Sequence, residues 1–227
     1  MLRPQYAILL DGGFLTKKLY EQMKRHATVD DVVAECDRLR AIEHVRDYEL
    51  LRIYYYDAPP SSERVNYPVS NKDYNLATTD RYRLSQSLYD QLILKPHFAL
   101  RMGETVLSPN KWRVKPRVAR KLVREPRQLA DEDFELDLSQ KGVDMRVGMD
   151  MARLALREMV RSVIIVTGDA DFIPAFKFVR REGVKVILEP MGHNVRVDLR
   201  RHADIVLETP RPEGAISLMS AEPASTA

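Results

Sequence analysis

The sequence has little cysteine and no long apolar run, and each absence excludes a class of protein. Its 227 residues include a single cysteine, Cys36, which excludes an internal disulfide framework and a cysteine-based zinc site. No apolar run approaches the length needed to cross a bilayer. The opening stretch MLRPQYAILLDGG becomes acidic too early for a secretory signal. We therefore expect a cytoplasmic protein with no membrane partner.

Phosphate-binding glycine motifs are also missing, and the net charge is small. Neither G-x-G-x-x-G nor G-x-x-x-x-G-K-[ST] occurs, and the formal net charge is only +3. Nucleic-acid binding would therefore have to come from the distribution of charge. Residues 111–127 hold eight Lys/Arg against one acid, and residues 131–137 hold five acids. We expect residues 108–140 to be a charged, hairpin-like and mobile excursion, in which the acidic run can pair with the basic run and mask it.

Short apolar segments alternate with amphipathic segments along the rest of the chain. This alternation predicts an α/β fold with a central, mostly parallel sheet between two layers of helices, since such strands are buried on both faces. We place this domain at residues 1–208. A tail rich in Pro, Ser and Ala, residues 209–227, is expected to be disordered. The predicted strands are 6–10, 50–56, 97–101 with 104–107, 163–167, 184–188 and 204–207; the predicted helices are 14–25, 29–46, 76–94, 143–159, 172–182 and 195–202.

Three predicted elements place an acid at what should be one edge of the sheet. Asp11 closes the first strand, Asp169 and Asp171 follow the strand VIIVT, and Asp144 opens a helix on its expected inward stripe. The carboxyl ends of parallel strands meet at one edge, where ligands of such sheets bind. Carboxylates gathered there stay ionised only if a cation compensates them, and oxygen ligands favour Mg²⁺ or Mn²⁺.

Each of these acids also has an ordinary structural explanation. Asp171 is well placed to cap the helix that follows it, Asp144 is a first-turn acid, and Asp11 precedes a Gly-Gly turn. Three separate explanations do not account for three acids at one edge, so we favour a site.

Further residues near the acids are weaker candidates. Asp150 lies about 120° from Asp144 around the same helix, which makes direct entry into the site less favoured. Thr167 could hydrogen-bond a phosphate, although a buried strand-end hydroxyl is the more common role. Asp57 also ends a strand, but the following Ala-Pro-Pro favours a simple turn.

The segments ILLDGGFL, QKGVDMRVGMDMA and VIIVTGDADFIPAFKFVRREGVKVILEP together resemble the NYN domain family, a branch of the PIN-like metal-dependent ribonucleases. The resemblance runs over about residues 6–207. It implies a PIN-like, Rossmann-like three-layer fold and an acidic site holding one or two Mg²⁺ or Mn²⁺ ions. It also implies RNA cleavage in many members. By position, the metal-binding acids correspond to Asp11, Asp144 and Asp169, with Asp171 close behind, Asp150 as a further helix acid and Asp198 as a loose counterpart of an acid after the last long strand.

The sequence departs from this family directly after the first acid. Many members carry an Asn there that can help to hold a metal or substrate, whereas this chain has Gly12-Gly13-Phe14. The main hypothesis is metal-dependent hydrolysis of RNA, with Asp11, Asp144, Asp169 and Asp171 as catalytic residues. The alternative is a catalytically silent RNA-binding or regulatory module, which the missing Asn favours. A phosphatase with a strand-end D-x-D nucleophile is disfavoured because D-x-D comes late in the chain.

RNA would be bound by basic residues around the rim of the site. Solvated helix faces and a packed indole are the ordinary alternatives for these residues. A homo-oligomer is left open. The candidates are Lys177, Arg180, Arg181, Arg196, Arg200 and Arg201, together with Trp112 as a base-stacking residue within the basic run.

Overall fold

The computed structural model describes residues 3–208, so the predicted tail at residues 209–227 lies outside the described residues. The strands are β1 Gln5–Asp11, β2 Glu49–Asp57, β3 Arg64–Asn66, β4 Asp73–Asn75, β5 Phe98–Met102, β6 Glu104–Val114, β7 Phe134–Lys141, β8 Ser162–Val166, β9 Lys185–Glu189 and β10 Ile205–Val206. The helices are α1 Gly12–Met23, α2 Val29–Arg40, α3 Asp80–Leu92, α4 Pro116–Leu122, α5 Val143–Leu156, α6 Ile173–Arg181 and α7 Val197–Arg201.

Six strands form a parallel sheet in the order β10-β9-β8-β1-β2-β5. The chain starts in the middle, builds outward through β2 and β5, and returns to place β8 on the other side of β1. Strand order therefore reverses between β1 and β8, where Leu10 pairs with Val166. Such a switch point opens a crevice beyond the strand ends.

Alternating residues of β1 supply two separate cores, one on each face of the sheet. Ile8 and Leu10 pack in a cluster with residues of α1, α2 and α3. Ala7 and Leu9 pack in a second cluster with residues of α5, α6 and α7. Burial on both faces explains why the strands read as unbroken apolar runs. The predicted α/β fold, with a parallel sheet between two helical layers, is confirmed.

The ends of several helices differ from the predicted ones because side chains cap the backbone. α1 begins at Gly12, two residues early, since the Asp11 carboxylate accepts the Phe14 N–H at 3.1 Å. The helix predicted from residue 76 begins at Asp80, where Thr79 is the cap. The helix predicted for 29–46 ends at Arg40 and is followed by a short 3₁₀ turn.

The predicted excursion is an antiparallel hairpin of β6 and β7 with α4 between them. It begins at Glu104, so the predicted strand 104–107 belongs to this hairpin instead of to the central sheet. Charge pairing inside it is partial: Arg113 contacts Glu135 at 2.9 Å and Arg127 contacts Asp133 at 2.6 Å. These two are the only cations of the basic run in ion pairs formed among residues 3–208.

A second hairpin, β3–β4, went unpredicted because its strands are only three residues long. It packs against the first hairpin through Trp112, whose ring stacks on Tyr67 with centroids 5.3 Å apart. The indole N–H donates to the Asn66 carbonyl at 2.8 Å. Among the helices of residues 3–208, none is long and apolar enough to cross a membrane.

Candidate functional site

The ends of β1 and β8 are joined by a hydrogen-bonded chain of three residues at the switch point. The Thr167 hydroxyl donates to Asp11 Oδ2 at 3.1 Å, and its oxygen accepts the Asp169 N–H at 3.1 Å. Thr167 is fully buried. It is thus a buried strand-end hydroxyl, as its ordinary explanation held, and it fixes the spacing between the two acids.

Asp169, and not Asp171, is the acid that caps the following turn. Asp169 Oδ1 accepts the Asp171 N–H at 2.8 Å and caps the 3₁₀ turn that leads into α6. The prediction that Asp171 is the cap was wrong, because the Ile173 N–H, two residues after Asp171, donates to the Ala170 carbonyl inside the 3₁₀ turn. The Asp171 carboxylate is instead exposed at the surface.

Asp144 lies in the first turn of α5 about 20° around the helix from the buried Met151, and it is exposed because the helix begins there. The residues that α5 buries are Val147, Met151, Leu154 and Ala155. Asp144 nevertheless shares the crevice with the β8 acids. Partial burial raises its pKa, and the negative charges of Asp169 and Asp171 raise it further.

The Asp11 carboxylate has a strongly raised pKa. Burial raises its pKa to about 6; the Phe14 N–H and the Thr167 hydroxyl lower it, and the charges of Asp57 and Asp144 raise it further. Among the ion pairs formed by residues 3–208, none involves Asp11, Asp144, Asp169 or Asp171. We refer to these four as the acidic cluster. Its negative charge is uncompensated by any ion pair of the described residues.

One wall of the crevice is built from Phe14 and His193 around Gly168. A Cβ on Gly168 would lie 2.7 Å from Phe14 Cε2 and 2.8 Å from His193 Cδ2, so any larger residue there would displace one of these rings. The two rings meet edge to face at 5.9 Å. Phe14 thus occupies the space beside the acids close to where many NYN proteins carry Asn. His193 went unpredicted, since a lone histidine in a loop gives no pattern to read.

Asp150 and Asp198 are engaged with cations and do not join the acidic cluster. Asp150 accepts from Tyr56 Oη at 3.1 Å and from Arg101 Nε at 3.0 Å, which ties α5 to β2 and β5. Asp198 lies 3.7 Å from Arg201. Asp150 thus has a structural role, whereas Asp198 forms only a long, solvent-exposed ion pair, which contributes little to stability.

Two further strand-end carboxylates were missed from the sequence. Asp57 ends β2 and accepts the Tyr89 hydroxyl at 3.1 Å and the Ala58 N–H at 2.8 Å. Burial is the main cause that raises its pKa. Asp57 is therefore more than the turn residue that Ala-Pro-Pro suggested. Glu189, at the end of β9, is fully buried and forms an ion pair with Arg38.

The predicted RNA-binding residues divide into paired and exposed side chains. Arg180 donates to Asp204 at 2.8 Å, an ion pair that joins α6 to the approach to β10. Trp112 is held in the aromatic contact between the hairpins, so its packing explanation is supported. The other cations are exposed: Arg196 and Arg201 form long ion pairs with Asp198 at 4.0 and 3.7 Å, whereas Lys177, Arg181 and Arg200 form no ion pair among residues 3–208.

The carboxylates of the acidic cluster are suitable ligands for a divalent cation, but they are not arranged around a single point. The acidic cluster offers carboxylate oxygens, which Mg²⁺ and Mn²⁺ prefer, and like charges that a cation would relieve. Within residues 3–208, however, no group of three or more His, Cys, Asp or Glu side chains is gathered around one point. Asp144, Asp169 and Asp171 are exposed, and exposed side chains change rotamer on a picosecond to nanosecond timescale.

Comparison with known proteins agrees with this architecture. Residues 112–208 match the family model of the NYN domain. An uncharacterised protein of Methanocaldococcus jannaschii is 30% identical over 78 residues, which are 34% of this chain and 32% of that protein. The chain thus spans about a third of that relative. The crystal structure of a protein of unknown function from Vibrio parahaemolyticus covers 91% of this chain and 94% of its own, with a TM-score of 0.51 and 15% identity.

The Vibrio structure supports the fold, because at that identity only the fold is comparable. The family match covers β8, α6 and β9 with Asp169 and Asp171, and also α5 with Asp144. β1 with Asp11 precedes it and joins these elements through the sheet. The resemblance to the NYN domain family, a PIN-like nuclease family, is thereby confirmed over residues 112–208.

Proposed function

We propose that this protein hydrolyses RNA phosphodiester bonds with the help of a divalent cation at the acidic cluster. The observation that carries the proposal is the uncompensated charge at the switch point, where the pKa of Asp11 is raised to about 6. Perturbed carboxylates in a crevice indicate functional sites more often than structural ones. The NYN match over residues 112–208 supports nucleic acid as the substrate class.

Asp11, Asp144 and Asp169 would hold Mg²⁺ or Mn²⁺, directly or through water. When bound, such an ion polarises a phosphoryl oxygen and offsets the charge of the attacking and leaving oxygens. Thr167 is a positioning residue in this scheme. Its hydroxyl donates to the Asp11 carboxylate and its oxygen accepts the backbone N–H of Asp169, so the Asp11 carboxylate and the backbone of Asp169 are positioned before substrate arrives.

Asp171 is suited to act on the attacking water. Its carboxylate is exposed, while its backbone N–H is fixed by Asp169, so the side chain is anchored at its base and open to solvent. An anchored acceptor of this kind can orient a water for in-line attack on phosphorus and accept its proton. The exposed cations of α6 and α7 would bind the RNA backbone.

A catalytically silent RNA-binding module is the second candidate, and two observations favour it. Gly12-Gly13-Phe14 follows Asp11, where the resemblance to the NYN family implies a polar Asn in many members, and no three acids of residues 3–208 are gathered around one point. Such a module would bind RNA through the same rim without cutting it.

Cleavage of labelled single-stranded RNA in Mg²⁺ or Mn²⁺ separates these two functions. The wild type should cut, while Asp11→Asn and Asp169→Asn should not, with unchanged folding by circular dichroism. Asp198→Asn is the matched control, since this exposed acid lies against Arg201. RNA binding without cutting under both metals would favour the silent module, and cutting by the two site variants would place the chemistry elsewhere.

A further inference from the structure

A cavity of about 400 Å³ lies between α1 and α3, beside the acidic cluster but on the opposite face of the sheet. The alternation of β1 and β2 explains this placement. Asp11 shares its face with Leu9, whereas Asp57 shares the other face with Tyr55. The cavity volume is within the usual range for a small-molecule or nucleotide pocket.

The cavity and the acidic cluster share a wall. Gly13 lines the cavity, and a Cβ at this position would lie 3.7 Å from Asp11 Oδ1. Gln140, at the end of β7, lines the cavity from the other side and is followed within one turn by α5 and Asp144. A chain that passes the carboxyl edge of the sheet at Asp11 can therefore place one of its units in the cavity.

The lining combines cationic, apolar and acidic groups. Lys17 and Arg81 supply positive charge suited to a phosphate. Leu84, Leu88 and Tyr20 supply apolar surface suited to a flat ring. These two properties together describe a nucleotide, with its charged group and its planar base.

Asp57 adds a means to discriminate between bases. Its Oδ2 accepts the hydroxyls of Tyr89 at 3.1 Å and Tyr55 at 3.4 Å, while its Oδ1 accepts the Ala58 N–H at 2.8 Å. The carboxylate is thus held rigidly at the cavity wall. Each carboxylate oxygen can accept two hydrogen bonds, so Oδ1 has room for a donor from a ligand.

We propose that this cavity binds one nucleotide of an RNA chain and prefers a base with an exocyclic amino group. Asp57 would accept from the amino group, the apolar wall would cover the ring, and Arg81 with Lys17 would hold a phosphate. Adenine, cytosine and guanine carry such an amino group, whereas uracil does not. The role of the cavity as an RNA subsite rests on the proposed function, but its ligand does not depend on catalysis.

The first test measures binding of the four nucleoside 5′-monophosphates by calorimetry in the absence of divalent metal. CMP, AMP and GMP should bind about tenfold more tightly than UMP, because a hydrogen bond to a charged group is lost with uracil. Arg81→Ala should weaken binding of CMP roughly three- to tenfold. Arg83→Ala is the matched control, since this residue of the same helix pairs with Asp80 and does not line the cavity.

A second variant closes the cavity without touching the core. Leu84 is 45% exposed, so Leu84→Trp should cover the entrance and abolish nucleotide binding while the melting temperature is kept. Equal binding of all four nucleotides, or CMP binding that survives both Arg81→Ala and Leu84→Trp, would overturn the assignment. Failure of all four to bind would overturn it as well.

The second test asks whether the ligand belongs to an RNA chain. Fluorescence anisotropy without metal should show tighter binding of oligocytidine than of oligouridine, and Leu84→Trp should remove the difference. If CMP binds in the cavity but the two oligonucleotides bind equally, the cavity serves a free nucleotide and the RNA subsite is overturned. Absent cleavage with an intact preference for oligocytidine would refute the ribonuclease proposal alone.

Discussion

The two parallel strands that flank β8, β1 and β9, each end in a carboxylate, but the surroundings of the two acids differ. Glu189 is fully buried, forms an ion pair with Arg38 and accepts the Met191 N–H at 2.6 Å. Arg38 is itself held by Glu35 at 2.6 Å. Asp11 accepts only a backbone N–H and a hydroxyl among the hydrogen bonds of the described residues.

Glu189 therefore stabilises the folded state, whereas the charged form of Asp11 destabilises it. A buried charge with a guanidinium partner is electrostatically satisfied, and losing either partner is destabilising. A carboxylate whose pKa is raised by burial and by like charges opposes folding at neutral pH. Proteins retain such groups at functional sites. The following predictions test this contrast, from the largest expected effect to the smallest.

Activity should distinguish the two kinds of acid most strongly. Asp169→Asn should lower RNA cleavage by on the order of a thousandfold, because the metal contribution to the transition state is several kcal/mol. Glu189→Gln should retain the specific activity of its folded fraction. Single-turnover cleavage measured beside circular dichroism checks both. A Glu189→Gln protein that is folded but inactive would erase the contrast.

Stability should depend on pH through Asp11 in the absence of metal. Its folded pKa of about 6 lies above the ordinary value of 3.8, so protonation stabilises the fold. This stabilisation is complete below about pH 4 and is lost as pH rises through about 6. Asp11→Asn keeps the cap of α1 and has no charge to lose. It should be up to about 3 kcal/mol more stable than wild type at pH 7.5 and lose that advantage near pH 4, as urea unfolding at the two pH values would show.

Glu189→Gln should lower the free energy of unfolding by about 2 kcal/mol, since it leaves Arg38 with Glu35 as its remaining acid partner. The matched change at an exposed pair, Asp80→Asn, should cost less than about 0.5 kcal/mol, because both side chains of the Asp80–Arg83 pair are largely exposed. Urea unfolding near neutral pH compares the two. Equal costs for both variants would contradict a structural role for the Glu189–Arg38 pair.

Divalent cations should stabilise the folded protein by binding at the acidic cluster, and they should gain nothing from the acids that already form ion pairs. Mn²⁺ at about ten times its dissociation constant should add about 1.4 kcal/mol, or roughly 3–6 °C in melting temperature for a domain of this size. Asp11→Asn should lose most of this gain, while Asp198→Asn should keep it. Thermal unfolding with and without EDTA provides the measurement, and an equal response in both variants would argue against a metal at Asp11.

The smallest effect concerns the cations of α6. Lys177→Ala should weaken RNA binding a few-fold and reduce the salt slope of binding by about one. Arg180→Ala should instead reduce stability, since Arg180 pairs with Asp204 at 2.8 Å. Anisotropy titrations over a range of salt separate the two. An Arg180→Ala protein with a reduced salt slope and unchanged stability would reverse the assignment.

The sequence was sufficient for the sheet because its strands are apolar on both faces, and VIIVT or YAILL admits few other structures. It also located Asp11 and Asp169, since strand ends are marked by the first polar residue. Asp57 and Glu189 were missed for opposite reasons. The Ala-Pro-Pro after Asp57 suggested a turn, and the partner of Glu189 is Arg38, 151 positions away in the chain. Pairing at that separation leaves no local pattern.

Elements that depend on side-chain contacts were also harder to predict than elements that show a periodic pattern of apolar residues. β3 and β4 are three residues each and owe their position to the stacking of Trp112 on Tyr67. The capping of the turn by Asp169 instead of Asp171 was hard to predict for a similar reason. Both acids precede a helix within three positions, and only the backbone conformation decides which one reaches a free N–H.

The β6–β7 hairpin leaves and rejoins the rest of the chain at one place. Glu104 pairs with Lys141, and a Cβ on Gly103 would lie 2.6 Å from the Lys141 carbonyl oxygen. The hairpin therefore enters and leaves the chain at one place, and it also contacts the β3–β4 hairpin through Trp112. Because residues 104 and 141 are neighbours, a short Gly-Ser link could join them in place of the hairpin, and closing so short a loop costs little entropy. A change in the length of the hairpin between these two residues would therefore leave the spacing of the strands that carry the acids unaltered.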